Sequence, residues 1–321
     1  MRIRFWHCFI AIAPMIAQHA VAQSYPSKPV RIIVPTSPGG ILDVVTRVLG
    51  QKMTEITGQI VVVENRVGAS TNIGTEFVAR AAGDGYTLLS NSIPLVANPS
   101  LFSKLPFDVE RDLAPVSLVL AAPYVLVVHP SVPAKSVREL VAMAKAKPGS
   151  LNYSSGGNGT NLHIAAEMFK NQTGVSIVHV PYKGGGPALT SVLAGETDLS
   201  FPSLGGVLPH VSAGRLRALA ITSNQRSALL PQLATVAESG FPGYVFTSWV
   251  GILAPATTPA NIVAAINGYI VKAMRAPGVA DRLAADGNDV VASSPEQFGT
   301  LIKAELARLA KVVRDSGIKP E

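Results

Sequence analysis

Beyond residue 22 the chain alternates short runs of aliphatic, β-branched residues with longer segments whose apolar positions recur every three or four residues. Residues 30–34 read as a strand. Residues 42–56 carry Val44, Val45, Val48, Leu49 and Met53 on one side of an amphipathic helix. Residues 60–63 predict a second strand, 75–82 a short helix, Gly83-Asp84-Gly85 a turn, and 86–89 a third strand. This β-α-β rhythm predicts an α/β fold of mostly parallel sheets with helices on both faces.

A markedly apolar run without charge spans 113–129. A membrane span needs about 20 apolar residues. This run is shorter, Pro115 and Pro123 interrupt it, and valines dominate its second half. It therefore predicts a strand ending near Leu120 and another over 124–128, with the chain crossing between two lobes near Ala121 to Pro123. The rhythm then repeats. A helix is expected over 137–146, strands over 151–153 and 176–180, and a helix from Leu162 to Thr173 between them. Pro187 suits the first position of another helix. Further strands are expected at 198–201 and 218–222, a returning strand over 246–253, and helices over 260–274 and 297–313. The final helix buries Leu301, Ile302, Leu306, Leu309 and Val313 and is expected to pack on the first lobe. The lobes are thus 23–121 plus 248–321, and 122–247.

The first 22 residues have the form of an export signal. Arg2 and Arg4 precede an apolar stretch over 5–17, and Ala20-Val21-Ala22 fits a cleavage site. The only cysteine, Cys8, lies inside it, so the exported chain would have no disulfide and no thiolate metal site. The formal charge of +7 less the two leader arginines leaves +5. That excess is spread out, with no basic run and no aromatic interleaving, which argues against nucleic acid as a partner.

Two loops carry the candidate chemistry. The stretch from Leu151 to His163 passes from strand to helix through Ser154, Ser155, Gly156, Gly157, Asn158, Gly159, Thr160 and Asn161 without a charge. Pro35-Thr36-Ser37-Pro38-Gly39-Gly40 likewise follows a strand and opens a helix. A helix N-terminus offers unpaired N–H groups and partial positive charge, and glycines let a ligand approach closely. Facing each other across a cleft, two such loops would hold one small anion without an arginine. Asp43 could meet a ligand amine, or it could simply complement the helix dipole and pair with Arg47 four residues on. His163 reads as a loop-bracing histidine or as a base. No nucleophile elbow, phosphate loop or metal-protease motif is present, and no metal or cofactor is called for.

The motifs resemble those of the Bug family, the extracytoplasmic solute-binding components of tripartite tricarboxylate transporters. They run from Tyr25-Pro26-Ser27-Lys28-Pro29-Val30-Arg31 through Pro38-Gly39-Gly40 with Asp43 and Arg47, Val63-Glu64-Asn65-Arg66 with Gly68-Ala69, and Asp84-Gly85-Tyr86-Thr87. In the second half come Gly157-Asn158-Gly159-Thr160 with His163, Val180-Pro181-Tyr182-Lys183-Gly184 and Gly195-Glu196-Thr197-Asp198. The resemblance implies a two-lobed, type-II periplasmic binding-protein fold with a central cleft, closing on a small organic acid or amino acid. It implies a monomer outside the cytoplasm that serves a membrane transporter or sensor. By position it implies ligand contacts from Pro38, Gly39, Gly40 and Asp43, from Ala69, Ser70, Thr71 and Asn72, and from Asn91 and Ser92. From the second lobe it implies Ser154, Ser155, Asn158, Gly159, Thr160 and Tyr182. Two departures bear on ligand size: Ser70 and Thr71 stand where the family usually has glycines, and Ile41-Leu42 are bulkier than usual. Two other readings remain, an exported serine hydrolase using Ser155 and His163, and an interaction protein with a vestigial pocket.

Overall fold

The computed structural model describes residues 25–316, so the expected export signal, its cleavage site and Cys8 lie outside the described residues. The first half contains β1 (Val30–Val34), α1 (Ile41–Thr57), β2 (Val61–Asn65), α2 (Asn72–Ala79) and β3 (Thr87–Asn91). A 3-10 turn, Ala69–Thr71, precedes α2. Then follow α3 (Pro94–Leu101), α4 (Val109–Asp112) and β4 (Leu113–Pro123). The middle of the chain is β5 (Val125–Val128), α5 (Val137–Ala146), β6 (Asn152–Ser155), α6 (Asn161–Thr173), β7 (Val178–Pro181), α7 (Gly185–Leu193), β8 (Leu199–Ser200), α8 (Leu204–Ser212) and β9 (Arg217–Ile221). The last part is β10 (Thr247–Pro255), α9 (Ala260–Met274), α10 (Val279–Ala285), β11 (Asp289–Val290) and α11 (Pro295–Ser316).

These strands form two sheets. One has the order β11-β4-β10-β3-β1-β2, the other β7-β6-β8-β5-β9. Both are mixed rather than mostly parallel. Parallel pairing is confined to β2-β1-β3 and β7-β6-β8, where helical crossovers join the strands. The remaining pairs are antiparallel because the chain leaves the first sheet along β4 and returns along β10. Those two passes run in opposite directions side by side, from Leu113↔Pro255 to Pro123↔Thr247. The uncharged run at 113–129 is therefore β4 and β5. No helix among the described residues is long and apolar enough to cross a membrane.

The chain changes sheet at Tyr124, one residue past the expected crossing. Thr222 knits the two crossings together. Its hydroxyl accepts from the Tyr124 N–H (3.1 Å) and lies 2.9 and 2.7 Å from the carbonyls of Tyr124 and Phe246. β5 shows why this stretch has no polar residue. Leu126 and Val128 face one core, Val125 and Val127 another, so both faces are buried.

A continuous apolar core joins the two sheets, and α11 contributes Phe298, Ile302, Leu309 and Val313 to it. The terminal helix packs on α3, β4 and also α6, so it touches elements of both halves. Against the other face of the first sheet lie α1 and α9. In α1 the buried apolar positions are Leu42, Val45, Leu49 and Met53, whereas Val44 is 40% exposed. Helix α1 stops at Gly58, whose φ of 70° lets its N–H close on the Thr54 carbonyl. Pro187 falls third in α7, behind Gly184, rather than first. α3, α8 and α10 are elements that the apolar periodicity did not reveal.

Candidate functional site

Both candidate loops run from the end of a parallel strand into the first turn of a helix, β1 into α1 and β6 into α6. Neither helix receives a side-chain cap from its N-cap residue, Gly40 in one case and Thr160 in the other. A Cβ at Gly39 or Gly40 would meet nothing within 4 Å, so this loop faces open space.

Asp43 braces the first loop from within. Its Oδ2 accepts from the Gly39 N–H (3.0 Å) and from Arg47 Nε (3.0 Å). Its Oδ1 accepts from Arg47 (2.8 Å) and from Asn65 Nδ2 (2.9 Å), and Asn65 also donates to the Thr36 carbonyl (3.0 Å). Burial alone would raise the Asp43 pKa, but the hydrogen bonds from Arg47, Gly39 and Asn65 outweigh it and hold the carboxyl below its ordinary range. The carboxylate is thus engaged by four donors of its own chain.

The second loop is braced by two histidines. The Gly159 N–H donates to His163 Nδ1 (3.1 Å), and Ser155 Oγ, which accepts from the Gly157 N–H (3.1 Å), lies 2.6 Å from His179 Nε2. The two imidazoles stack 4.5 Å apart, and the Tyr153 ring stacks on His179 at 4.8 Å. Burial pushes His163 down to about 4 and His179 also below its ordinary value, which favours the neutral form of both rings, with His163 Nδ1 the acceptor for Gly159. Ser155 is fully buried and paired with His179, so the Ser155–His163 pairing that a hydrolase reading requires is not formed. Ser154 is also buried and donates to the Ala188 carbonyl (2.8 Å). The Thr160 hydroxyl donates to the Gly157 carbonyl (2.7 Å). The Tyr182 N–H donates to the Ser155 carbonyl (2.9 Å), which brings the loop after β7 against this one. Gly39, Gly157 and Gly159 therefore use their N–H groups within the loops. The first-turn amides of each helix have no partner within the helix.

The structure brings the two loops together through a third. Ser70 Oγ in the 3-10 turn donates to the Asn158 carbonyl (2.7 Å). A Cβ at Gly159 would lie 2.7 Å from Ser70 Oγ, 3.0 Å from Asn98 Oδ1 and 3.2 Å from Leu101 Cδ1. Ser37 of the first loop lies 3.8 Å from where a Gly184 Cβ would be. Ala69 is exposed, Thr71 and Asn72 are buried, and Asn72 Oδ1 accepts from Asn98 Nδ2 (2.7 Å). Asn91 and Ser92 are buried at the end of β3. Asn91 donates to the Thr75 hydroxyl (3.0 Å) and accepts from the Ser92 N–H (2.8 Å). Pro38 is exposed beside Gly39.

Sequence reasoning missed Asn98 and His179, and it gave Asn161, an amide of the second loop, no particular role. Asn98 is an isolated amide in the apolar stretch Pro94-Leu95-Val96-Ala97, which is a signal for a buried, specifically bonded polar group. Asn161 opens α6 and ties it to the crossings, with Nδ2 donating to Tyr124 Oη (2.9 Å) and Ser248 Oγ (2.8 Å). Among the described residues, six buried side-chain polar atoms have no partner in the chain: Trp249 Nε1 and Thr258 Oγ1, and, around these loops, Thr36 Oγ1, Thr71 Oγ1, Asn98 Oδ1 and Asn161 Oδ1. Buried polar groups are normally satisfied, so four such atoms on the elements that carry these loops mark a place for a polar ligand or ordered water.

Two mixed sheets joined by paired crossing strands, with loops from both meeting at the bond between Ser70 and Asn158, define a two-lobed solute-binding protein. The chain belongs to the tripartite tricarboxylate transporter receptor family (TctC), whose family model matches residues 45–318. It is 41% identical over 313 residues to protein BugT of Bordetella pertussis, covering 97% of this chain and 96% of that protein. The fold is similar to that of Rhodopseudomonas palustris Rpa4515 solved with adipate, with a TM-score of 0.88 and 34% identity over 92% of this chain and all of that one. It is also similar to MatC of the same organism with bound malate, with a TM-score of 0.85 and 29% identity over 90% of this chain and all of that one. The family is one of solute-binding receptors, and the Bug proteins are among its members.

Proposed function

We propose that this chain is a periplasmic receptor that captures a small carboxylate between two lobes, without catalysis, and delivers it as a monomer to a membrane transporter or sensor. The lobes are 23–121 with 248–321, and 122–247, and they turn about the paired crossings at Tyr124 and Phe246. One observation carries the reading. Loops from two different sheets meet where Ser70, in the turn that opens α2, bonds Asn158, in the loop that opens α6, and neither helix takes a side-chain cap from its N-cap residue. The carboxylate sits between the first turns of α1 and α6, with Pro38, Gly39 and Gly40 on one side and Asn158, Gly159 and Thr160 on the other. The orphaned groups of Thr36, Thr71, Asn98 and Asn161 take its remaining polar atoms, directly or through water. Asp43, Ser154, Ser155 and His163 support the loops from behind. Adipate and malate, found in relatives, fit a site that offers dipoles and amides rather than a cation.

A thermal-shift series with malate, adipate and their diamides tests this. A ligand at about a hundred times its Kd adds roughly 2.7 kcal/mol to a fold that alone binds it. Acids that raise the midpoint while the diamides do not support the reading, and equal shifts from the diamides refute it. Turnover of p-nitrophenyl esters that is abolished by Ser155→Ala would refute the absence of catalysis.

A further inference from the structure

We propose that Ser70 is a closure latch, a positioning residue whose side chain holds the two lobes together and sets how long a bound acid is retained; the inference rests on the two-lobed reading above. Three consecutive residues without a glycine, Ala69, Ser70 and Thr71, have φ of 44, 50 and 80°. This left-handed region is sterically unfavourable for an L side chain, a cost that glycine largely avoids. A serine held there has a use that glycine could not supply.

The surroundings show that use. The turn is pinned from its own side. Asn98 Nδ2 donates to the Ser70 carbonyl (2.6 Å) and to Asn72 Oδ1 (2.7 Å), and the Thr75 hydroxyl donates to the Thr71 carbonyl (2.9 Å). With its backbone fixed, Ser70 aims Oγ at the Asn158 carbonyl, in a loop anchored to the other sheet. The same oxygen packs over Gly159, where a Cβ would lie only 2.7 Å away. The loop that receives the bond is itself rigid, through Gly159 N–H to His163 and Gly157 N–H to Ser155. The latch therefore joins two stiff loops, and its hydrogen bond exists only when the lobes are closed.

Two substitutions separate the latch from the strain. Ser70→Ala removes the hydroxyl and keeps the left-handed cost, whereas Ser70→Gly removes both. Spin labels on cysteines replacing exposed Gln51 and Lys145, one in each lobe, report closure by pulsed electron resonance; past residue 22 the chain has no other cysteine. Measured first without added acid, the closed-to-open ratio is expected to fall roughly three- to ten-fold in both variants, as loss of one hydrogen bond predicts. Ser70→Gly should melt no lower than wild type despite that fall, a combination that a merely structural role would not produce. With malate or adipate, dissociation should quicken by a similar factor. An unchanged ratio in either variant, or a wild type found only at the open distance, overturns the proposal. The distances without acid decide the latch. Absence of any response to malate or adipate, with the latch result intact, would instead count against the ligand reading.

Discussion

Replacing Gly159 with alanine tests the interlobe geometry in a way that separates folding from binding. Gly159 sits at φ +71°, so any L residue there carries left-handed strain of about 1–2 kcal/mol. That cost belongs to the loop alone and is the same whether the lobes are open or closed. The new methyl meets a second cost only on closure. It would lie 2.7 Å from Ser70 Oγ, 3.0 Å from Asn98 Oδ1 and 3.2 Å from Leu101 Cδ1. The serine could rotate away, at the loss of its bond to Asn158, roughly 1 kcal/mol. The Asn98 amide is pinned by two hydrogen bonds, and Leu101 is core, so neither yields easily. Overpacking of this kind costs about 1–3 kcal/mol. Closure should therefore be penalised by about 2–4 kcal/mol in total, which weakens binding by roughly 30- to 1,000-fold. Calorimetric titration with whichever acid stabilises the wild type, beside a denaturant melt of the free variant, measures both quantities. A variant that loses stability yet binds within about threefold of wild type would refute the contact of Gly159 with the opposite lobe.

Three further outcomes follow from the same geometry. Burial holds His163 near pH 4 rather than the usual 6.5, so its contribution to stability is complete above about 6.5 and is lost as the pH falls towards 4; the difference is on the order of 3 kcal/mol. His163→Asn keeps an acceptor for the Gly159 N–H but cannot titrate, so its melting midpoint should vary less with pH over that window, and identical profiles would sink the assignment. Asp43→Asn removes a carboxylate held by Gly39, Arg47 and Asn65 and should cost about 2 kcal/mol in a denaturant melt. It should weaken malate, which has no amine, as much as any amino acid, and an effect confined to amino acids would show that Asp43 meets a ligand amine. Gly251→Ala would drive a methyl into the Phe298 ring and should loosen α11, with a loss of about 3 kcal/mol that leaves affinity in the folded fraction unchanged.

The local elements were largely legible. The bounds of β1, α5 and α9 follow from apolar runs and helical spacing alone. Pairing direction was not, because β4 and β10 meet across more than a hundred residues and nothing in either strand states which way its partner runs. α3 was hidden by Pro94 and Pro99, one at its first position and one within it, although prolines in a short helix can be tolerated near its start. In the site, the two glycine loops and the bracing role of His163 were readable from residue type and position. The direction of the Ser154 and Ser155 hydroxyls was not. Both lie at the buried end of β6, and their partners, Ala188 and His179, come from other turns of the chain. The glycine N–H groups looked available for a ligand in sequence, yet Asp43 and His163 already occupy two of them. Asn98 and Asn161 became visible only once tertiary packing left one oxygen of each without a partner.

The central claim is that one small acid is held by two helix N-termini from opposite lobes. Residue-resolved amide hydrogen exchange, with and without an acid that stabilises the fold, tests it most directly. The account predicts that the first-turn amides of α1 (Ile41, Leu42) and of α6 (Asn161, Leu162) gain protection together and with the same dependence on acid concentration. Protection confined to one of the two helices, or gained elsewhere while both remain unchanged, would contradict it.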